Sequence, residues 1–498
     1  MFAVDGYIGL DVGTTHIKAL LLDEVGRVRG VRAADTPLTG DAYGFVHDPA
    51  ALLTAAQGVV ASLVRDCGRG VAIRAMAVAS MGEEGVWLDA EGQVRYPAVA
   101  WYETRPSKLQ DHFVRTFGEA ARQASGLPLK PTYSLFKWFW LKEVLPAVWD
   151  AGARWLPISE FFAWSLTGEA VISPSQATRT YAYLVTDQAW SEELLAPLRP
   201  QGREFLPPVV ASGTGIGTVA ASLAPAWGLG ASTVVAVGGH DHPVGAIGAQ
   251  VEQPDQLLDS MGTAESLWRP LQQLPRGKTL APGLEYGVTG FTVPRYLSGG
   301  IYSGMALNVL RKVLRVEAWD AVWAAIEREP GALAGPAVFL PASLGLPPRF
   351  ELTVWGAEVE VHQIVRAALE GWAFAARRVA EQLEEYVGSP AREIVAIGGG
   401  SAIDVAMHIR ASVFNRPLTV VRDAEAVAVG AARLAARSVG HNISVPLRRA
   451  EVEPKAEWRE EYQRRYAMFC RQWERAESFG HDWAADERSR IGNHRPGS

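Results

Sequence analysis

Two apolar runs, Tyr7–Asp11 (YIGLD) and Ile17–Asp23 (IKALLLD), flank Gly13-Thr14-Thr15, and runs of that length around a Gly-Thr turn predict a β-hairpin. Glu24-Val-Gly-Arg27 predicts the turn that follows. Val71–Ala79 predicts a strand that ends at Ser80-Met-Gly-Glu-Glu-Gly85. From Pro106 to Leu166 the pattern is helical, with Trp138, Trp140, Leu141, Leu145 and Trp149 near a 3.6-residue period. Ser173–Tyr183 is turn-rich and polar and reads as a loop, and Gly213–Gly217 reads as a turn. Val234–Gly239 predicts a buried strand running into His240-Asp241-His242-Pro243, with a small-residue helix from Val244. Gln256–Trp268 predicts a second hairpin. Ile364–Glu385 predicts an amphipathic helix, Ile394–Ile397 a strand entering Gly398-Gly399-Gly400-Ser401, Asp404–Asn415 a helix and Leu418–Val421 a strand. Glu425–Arg437 is an Ala-rich helix whose small residues permit close packing. Ser438–Pro454 reads as a linker. Lys455–Glu477 reads as a charged helix whose stripe of Trp458, Tyr462, Tyr466, Phe469 and Trp473 docks on the body.

Composition narrows the class. The 498 residues exceed what one hydrophobic core organises, about 250–300 residues, so two or more domains are expected. Hydrophobic residues at 48% and charged residues at 20% exclude a disordered or fibrous chain. A formal charge of −6 argues against nucleic acid as a partner. Two cysteines, Cys67 and Cys470, give neither a disulfide framework nor a Cys-based zinc site. The start MFAVDGYIGLDVG lacks a basic n-region, and no run of 18 uncharged apolar residues occurs; a soluble, cytoplasmic protein that meets no membrane is expected. One internal similarity adds organisation: Leu10-Asp11-Val12-Gly13-Thr14-Thr15 recurs, with one insertion, as Leu258-Asp259-Ser260-Met261-Gly262-Thr263-Ala264, half the chain away. Two related α/β domains are expected, each opening with a Gly-Thr hairpin.

Several residues carry candidate chemistry. A Gly-Thr-Thr turn aims backbone N–H groups and hydroxyls at one point, and glycine lets a phosphate approach the backbone. Asp11 beside that turn would repel a phosphate unless a divalent cation such as Mg²⁺ intervened. The segment Gly238–His242 has two readings. His240 and His242 with Asp241 could ligate a metal, as in a metal-dependent hydrolase; or Asp241 projects from a strand end and accepts the proton of a hydroxyl attacking a γ-phosphate. Asp241 as a simple helix cap is the third possibility. Gly398-Gly399-Gly400-Ser401, between strand and helix, admits a flat group and favours an anion. Neither GxxxxGK[ST] nor GxSxG occurs, which disfavours P-loop enzymes and α/β-hydrolases.

In their order, these motifs resemble the FGGY family of carbohydrate kinases, within the superfamily of actin, hexokinase and heat-shock ATPases. The resemblance runs from about Tyr7 to Trp473, through YIGLDVGTTHIKALLLDEVGRV, VASMGEEGVWLDAEGQVRYPAVAWYETR, YSLFKWFWLKEVLP, SPSQATRT, GGHDHPVGAIGAQ, DSMGTAES, SGGIYSGMALNVL, AALEG, IGGGS and EAVAVGAA. It implies an α/β fold of two ribonuclease H-like domains around a central cleft, with boundaries at 1–245, 246–440 and a linker and helical tail at 441–498. It implies ATP and Mg²⁺ as cofactors, a small sugar or polyol as substrate (a ketopentose such as xylulose or ribulose), and no nucleic acid; homodimers are common in the family. Asp241 is then the general base and Asp11 the metal ligand. Gly13, Thr14, Thr15, Lys18, Gly262 and Thr263 fall on the phosphate motifs. Gly304, Gly399, Gly400, Ser401 and Asp404 fall on the adenosine side, which EAVAVGAA completes. Glu83, Glu84, Trp101, Glu103, Arg105, Asp241 and His242 face the sugar. The departures lie there: Glu83-Glu84 replaces a Met-His or Arg-Glu pair, Glu103 replaces Asp, and His242 replaces Asn or Gln; the usual Gly-Glu-Arg loop is only Leu344–Pro348. Two adjacent acids suggest carboxylates accepting several hydroxyls. A non-catalytic sugar or nucleotide sensor is the remaining alternative.

Overall fold

Alternation along the first strand builds both faces of the first sheet. In β1 (Val4–Val12) the side chains of Ile8, Leu10 and Val12 enter one core layer, with Leu52, Val60 and Leu63 of the helix Pro49–Cys67 and Ile158 and Phe162 of the helix Ile158–Thr167. Tyr7 enters the opposite layer, with Ala75, Ala77 and residues of the helix Ala426–Ser438. Period-2 alternation sends successive residues to opposite faces, so one apolar run serves two layers of helices.

The computed structural model describes residues 4–199, 204–262, 265–274, 278–281, 283–291, 293–301, 303–328, 337–341, 350–354, 359–422 and 425–473. The chain forms two compact units. One comprises Met1–Pro254, Pro270–Leu297 and Asp423–Arg448; the other comprises Asp255–Arg269, Ser298–Arg422 and Arg449–Ser498. The units interleave along the chain, where the sequence suggested contiguous domains changing near 245 and 440. The segment Asp423–Arg448 returns to the first unit, and the helix Ala426–Ser438, which holds most of EAVAVGAA, packs on that unit's sheet.

The first sheet adds β2 (His16–Asp23), β3 (Val28–Asp35), β4 (Val71–Ser80), β5 (Gly215–Thr218) and β6 (Val234–His240), in the order β5-β6-β4-β1-β2-β3. β1 and β2 form the expected hairpin, antiparallel with Asp11 opposite Lys18. β1, β4 and β6 run parallel, and their C-terminal ends are in register: Val12 lies opposite Ser80, and Ser80 opposite His240. Asp11 and Asp241 thereby arrive at the same edge of the sheet, the edge at which open α/β sheets bind ligands.

In the second unit the strands β7 (Gln256–Met261), β8 (Glu265–Leu271), β9 (Arg295–Ile301), β10 (Glu393–Ile397), β11 (Leu418–Arg422) and β12 (Arg448–Val452) follow the order β9-β8-β7-β10-β11-β12. β7 pairs antiparallel with β8 and parallel with β10, with Asp259 opposite Ala396, as Asp11 lies opposite Ala79. The short repeat in the sequence thus marks the first strand of two sheets built on the same plan.

Four local expectations differ. The stretch 106–166 is four helices, Ser107–Ser125, Ser134–Val144, Pro146–Ala151 and Ile158–Thr167, and a strand, Arg154–Pro157, pairs with Gly85–Leu88 inside it. SPSQATRT holds a buried short helix, Pro174–Thr178, capped by the Ser173 hydroxyl. Gly213–Gly217 leads from a turn into the edge strand β5, and β12 crosses the presumed linker. The loop Leu344–Pro348 lies outside the described residues. The helix Pro49–Cys67 is long and apolar enough to cross a membrane, yet its apolar face belongs to the first core. The tail docks as expected: Trp458, Tyr462, Tyr466, Phe469 and Trp473 are buried, with Tyr462, Tyr466 and Phe469 around Phe374.

Helix Ala426–Ser438 sits so close to β1 that a Cβ on Gly9 would lie 1.8 Å from the Ala428 carbonyl oxygen. Backbone cannot yield as a flexible side chain does. Gly9→Ala is expected to destabilise the first unit by about 3 kcal/mol through overpacking, read as a fall in its denaturant midpoint; an unchanged midpoint would refute this packing.

Candidate active site

β6 ends at His240, and Asp241 opens the helix Asp241–Gly248. Gly239 adopts φ +146°, and a Cβ there would lie 2.4 Å from the Ser175 hydroxyl, so glycine is required for this strand end to approach the short helix Pro174–Thr178. The Ser175 hydroxyl accepts the His240 N–H at 3.0 Å. Asp241 Oδ1 accepts the His242 N–H at 2.6 Å and lies 3.2 Å from His240 Nε2. Burial, with the Arg179 charge, holds His240 well below its ordinary pKa, so its imidazole is neutral.

Asp11, partly buried near the end of β1, is pushed up to about 8 by desolvation and by repulsion from Asp241, offset by Lys18. Such crowding of acids is what a divalent cation relieves, and a hard carboxylate oxygen suits Mg²⁺; the residues present fit that ion. The turn beyond Asp11 is fixed from behind, since Gly13 N–H donates to the His16 carbonyl and the Thr36 hydroxyl donates to the Gly13 carbonyl at 2.7 Å. Thr15 is exposed at the tip. Thr14 Oγ1 accepts the indole N–H of Trp101 at 2.9 Å. Lys18 is not free for phosphate here: its ammonium lies 2.6 Å from Glu425 Oε2.

The two adjacent acids are not equivalent open acceptors. Glu83 has φ +63°, a strained conformation for a non-glycine residue. Its carbonyl is held by the Ser134 hydroxyl and by Lys137, and its carboxylate accepts Arg179 Nε at 2.7 Å. Arg179 also donates to Glu285 at 3.0 Å, and its charge is the main force holding Glu285 below the usual range despite burial. Glu84 is fully buried and accepts the Trp101 backbone N–H at 2.7 Å. The expected pair of hydroxyl acceptors is therefore one acid shared with an arginine and one acid enclosed.

Glu103 and Arg105 are engaged by partners near the strand Gly44–His47. Glu103 accepts the Phe45 N–H at 2.8 Å, while Arg105 donates to Asp41 at 3.1 Å and to the Phe45 carbonyl at 3.1 Å, with its guanidinium 5.0 Å from the Trp140 ring centre. The structure thus groups Asp11, Thr14, Glu83, Glu84, Trp101, Asp241 and His242 on the first unit and leaves Glu103 and Arg105 as props of the neighbouring strand Gly44–His47.

On the second unit, Gly262 is exposed just past β7, and Thr263 lies outside the described residues. Gly304 sits in the first turn of the helix Ser303–Val313. Gly398, with φ +91°, brings the chain against the Met261 backbone, whereas a Cβ on Gly399 would meet open space. Gly400 packs on Met261, the Ser401 hydroxyl donates to the Gly398 carbonyl at 2.8 Å, and Asp404 is paired with Arg422 at 2.5 Å. The triple-glycine loop therefore places Gly399 open beside the end of β7, a surface a flat group can occupy. Asp259, the repeat partner of Asp11, has a different fate: Arg410 donates to it at 2.9 Å and to Glu265 at 2.5 Å, and all three are at most 2% exposed.

Sequence reasoning missed Arg179 and Glu285. The one signal was Arg179, the only formal charge in SPSQATRT. Among the described residues, His240, Asp241 and His242 form the one group whose ligand atoms lie mutually within 4.8 Å. His240 Nδ1 is buried without a hydrogen-bond partner, whereas a metal-bound imidazole almost always donates its second N–H to an acceptor, so the metal-dependent hydrolase has little support here.

The chain matches the N-terminal domain of the FGGY family of carbohydrate kinases over residues 6–248 and the C-terminal domain over residues 294–439. It is 28% identical over 465 residues to the L-fuculokinase of Escherichia coli (strain K12), covering 89% of this chain and 94% of that protein. It is 29% identical over 508 residues to the glycerol kinase of Alkalilimnicola ehrlichii, covering 96% and 99%. The xylulose kinase structure from Rhodospirillum rubrum superposes with a TM-score of 0.85 at 25% identity, over 96% of this chain and 100% of that one. The motif order, the paired sheets and these matches agree. The chain belongs to the FGGY family of carbohydrate kinases.

Proposed function

We propose that the protein transfers the γ-phosphate of ATP to a hydroxyl of a small sugar or polyol, a ketopentose such as xylulose or ribulose foremost, with Asp241 as general base. The observation that carries this reading is the placement of Asp11 and Asp241 at one edge of the first sheet, beside the Gly13-Thr14-Thr15 turn. The Asp241 carboxylate takes the proton of the attacking hydroxyl as its oxygen bonds to phosphorus, and the bond to the ADP oxygen breaks. His242 N–H, by donating to Oδ1, orients that carboxylate. Asp11 would hold Mg²⁺, which when bound neutralises phosphate charge. Gly13, Thr14 and Thr15, with Gly262 and Thr263, would contact phosphates; Gly304, Gly399, Gly400, Ser401 and Asp404 would contact adenosine. Glu83, Arg179 and Glu285 offer acceptors and donors to carbohydrate hydroxyls.

The test is ADP release by the full chain with ATP and Mg²⁺ over ketopentoses, ketohexoses, deoxyketoses, polyols and aldonates. Turnover on a ketopentose, lost in Asp241→Asn, is expected. ATP binding without turnover on any of them would overturn the reading in favour of a sensor, and preference for an aldonate would overturn the substrate class.

A further inference from the structure

His47 and Glu84 are both completely buried, and their facing atoms, Nε2 and Oε2, lie 3.6 Å apart without other hydrogen-bond partners. The buried ammonium that faces this pair is committed elsewhere. Lys137 is buried against this loop, but its ammonium gives three hydrogen bonds to the carbonyls of Glu83, Val99 and Ala100, at 3.0–3.1 Å, and an ammonium has three protons. Glu84 Oε1 is taken by the Trp101 N–H. His47 Nδ1 faces the Pro37 carbonyl at 2.8 Å, which can only accept, so Nδ1 bears the hydrogen and a neutral ring presents a lone pair at Nε2. A carboxylate opposite that lone pair would set two buried acceptors against each other with nothing to donate, an arrangement buried polar groups avoid.

We propose that His47 and Glu84 share one buried proton, carried on Glu84 and donated to His47 Nε2, and that this pair positions Trp101 against the first phosphate turn. The relay runs from His47 through Glu84 to the Trp101 backbone, and from the Trp101 indole N–H to Thr14 Oγ1. It ties a carbohydrate-facing segment to a phosphate-facing hydroxyl; that functional role rests on the kinase reading above, whereas the proton does not. The charged groups around the pair are Glu83, Lys137 and Asp241, and Tyr102 is the further titratable neighbour. Desolvation pushes Glu84 up to about 8, against the pull of Lys137, and pushes His47 down, consistent with a neutral pair at pH 7.

Two measurements on the full chain test the proton without any substrate. In ¹⁵N-histidine NMR, the ring assigned to His47 by its loss in His47→Gln should show a protonated Nδ1 and a bare Nε2 at pH 7; an imidazolium overturns the proposal. In thermal melts, Glu84→Gln supplies a permanent N–H donor toward His47. A group whose folded pKa is raised favours folding below its unfolded value, near 4.5, and loses that contribution as pH rises through about 8. The wild-type Tm should therefore fall more steeply than that of Glu84→Gln across this window; parallel curves overturn the shared proton. If turnover is found, the KM for ATP in the wild type should rise roughly threefold or more above pH 8, as expected when an essential group loses its proton. That rise should be absent in Glu84→Gln. A KM rise identical in both proteins removes the positioning role while leaving the kinase reading intact.

Discussion

Asp241→Asn should lower kcat by about 10²–10⁴-fold, the range attributed to a positioned general base, with ATP affinity changed by less than about threefold, because uniform binding contacts remain. The substitution is isosteric, and the amide oxygen can still accept the His242 N–H that Asp241 Oδ1 accepts at 2.6 Å. Loss of activity therefore cannot be assigned to a disrupted helix start. The same change removes the like charge that, after desolvation, contributes most to raising Asp11, so Asp11 should ionise at lower pH in the variant. Single-turnover ADP formation and nucleotide titration separate the two effects. Retention of a tenth or more of wild-type turnover would exclude Asp241 as the base.

Arg410→Met should cost about 3–5 kcal/mol, the usual effect of removing one partner of a buried ion pair. Arg410 serves two acids, Asp259 and Glu265, so its loss leaves two carboxylates enclosed between β7 and β8. Asp259 already lies above the usual carboxylate range, because burial outweighs the pull of Arg410. Without the guanidinium, protonation becomes the only relief, and folding takes up protons the unfolded chain does not hold. The deficit relative to wild type should accordingly be largest near pH 8 and shrink as pH falls toward 5. Denaturant midpoints at the two pH values measure this. A loss below about 1 kcal/mol, or one independent of pH, would mean the acids find other compensation than the ion pair assigns.

The hairpins and the strand that runs into Asp241 were legible because each rests on local pattern: apolar alternation, a Gly-Thr turn, glycines at a strand end. What the sequence hid depends on long-range encounters. Lys18 meets Glu425 across 407 positions, and Glu83 meets Arg179 across 96; no spacing rule anticipates either. The same blindness hid the partners of Glu103 and Arg105, which lie 58 and 64 positions away at Phe45 and Asp41. β12, with sequence RRAEV, carries the charges of an edge strand and so looked like a linker. The strand Arg154–Pro157, of only four residues, was lost within a run of tryptophans whose period is helical. The repeated Asp marked the topology, while the second copy, Asp259, is paired with Arg410.

The helix Ala426–Ser438, which covers one face of the first sheet, is synthesised long after the strands it covers. At the usual rate of about 5–20 residues per second, roughly ten to thirty seconds separate the emergence of residue 254 from that of residue 423. Throughout that interval Tyr7, Ala75 and Ala77 lack the Ala428, Val429 and Ala432 side chains that bury them. The first unit is thus closed only after most of the second has been synthesised, and a chain that stops before residue 426 carries every residue assigned to proton transfer on a sheet that lacks this helix on one face.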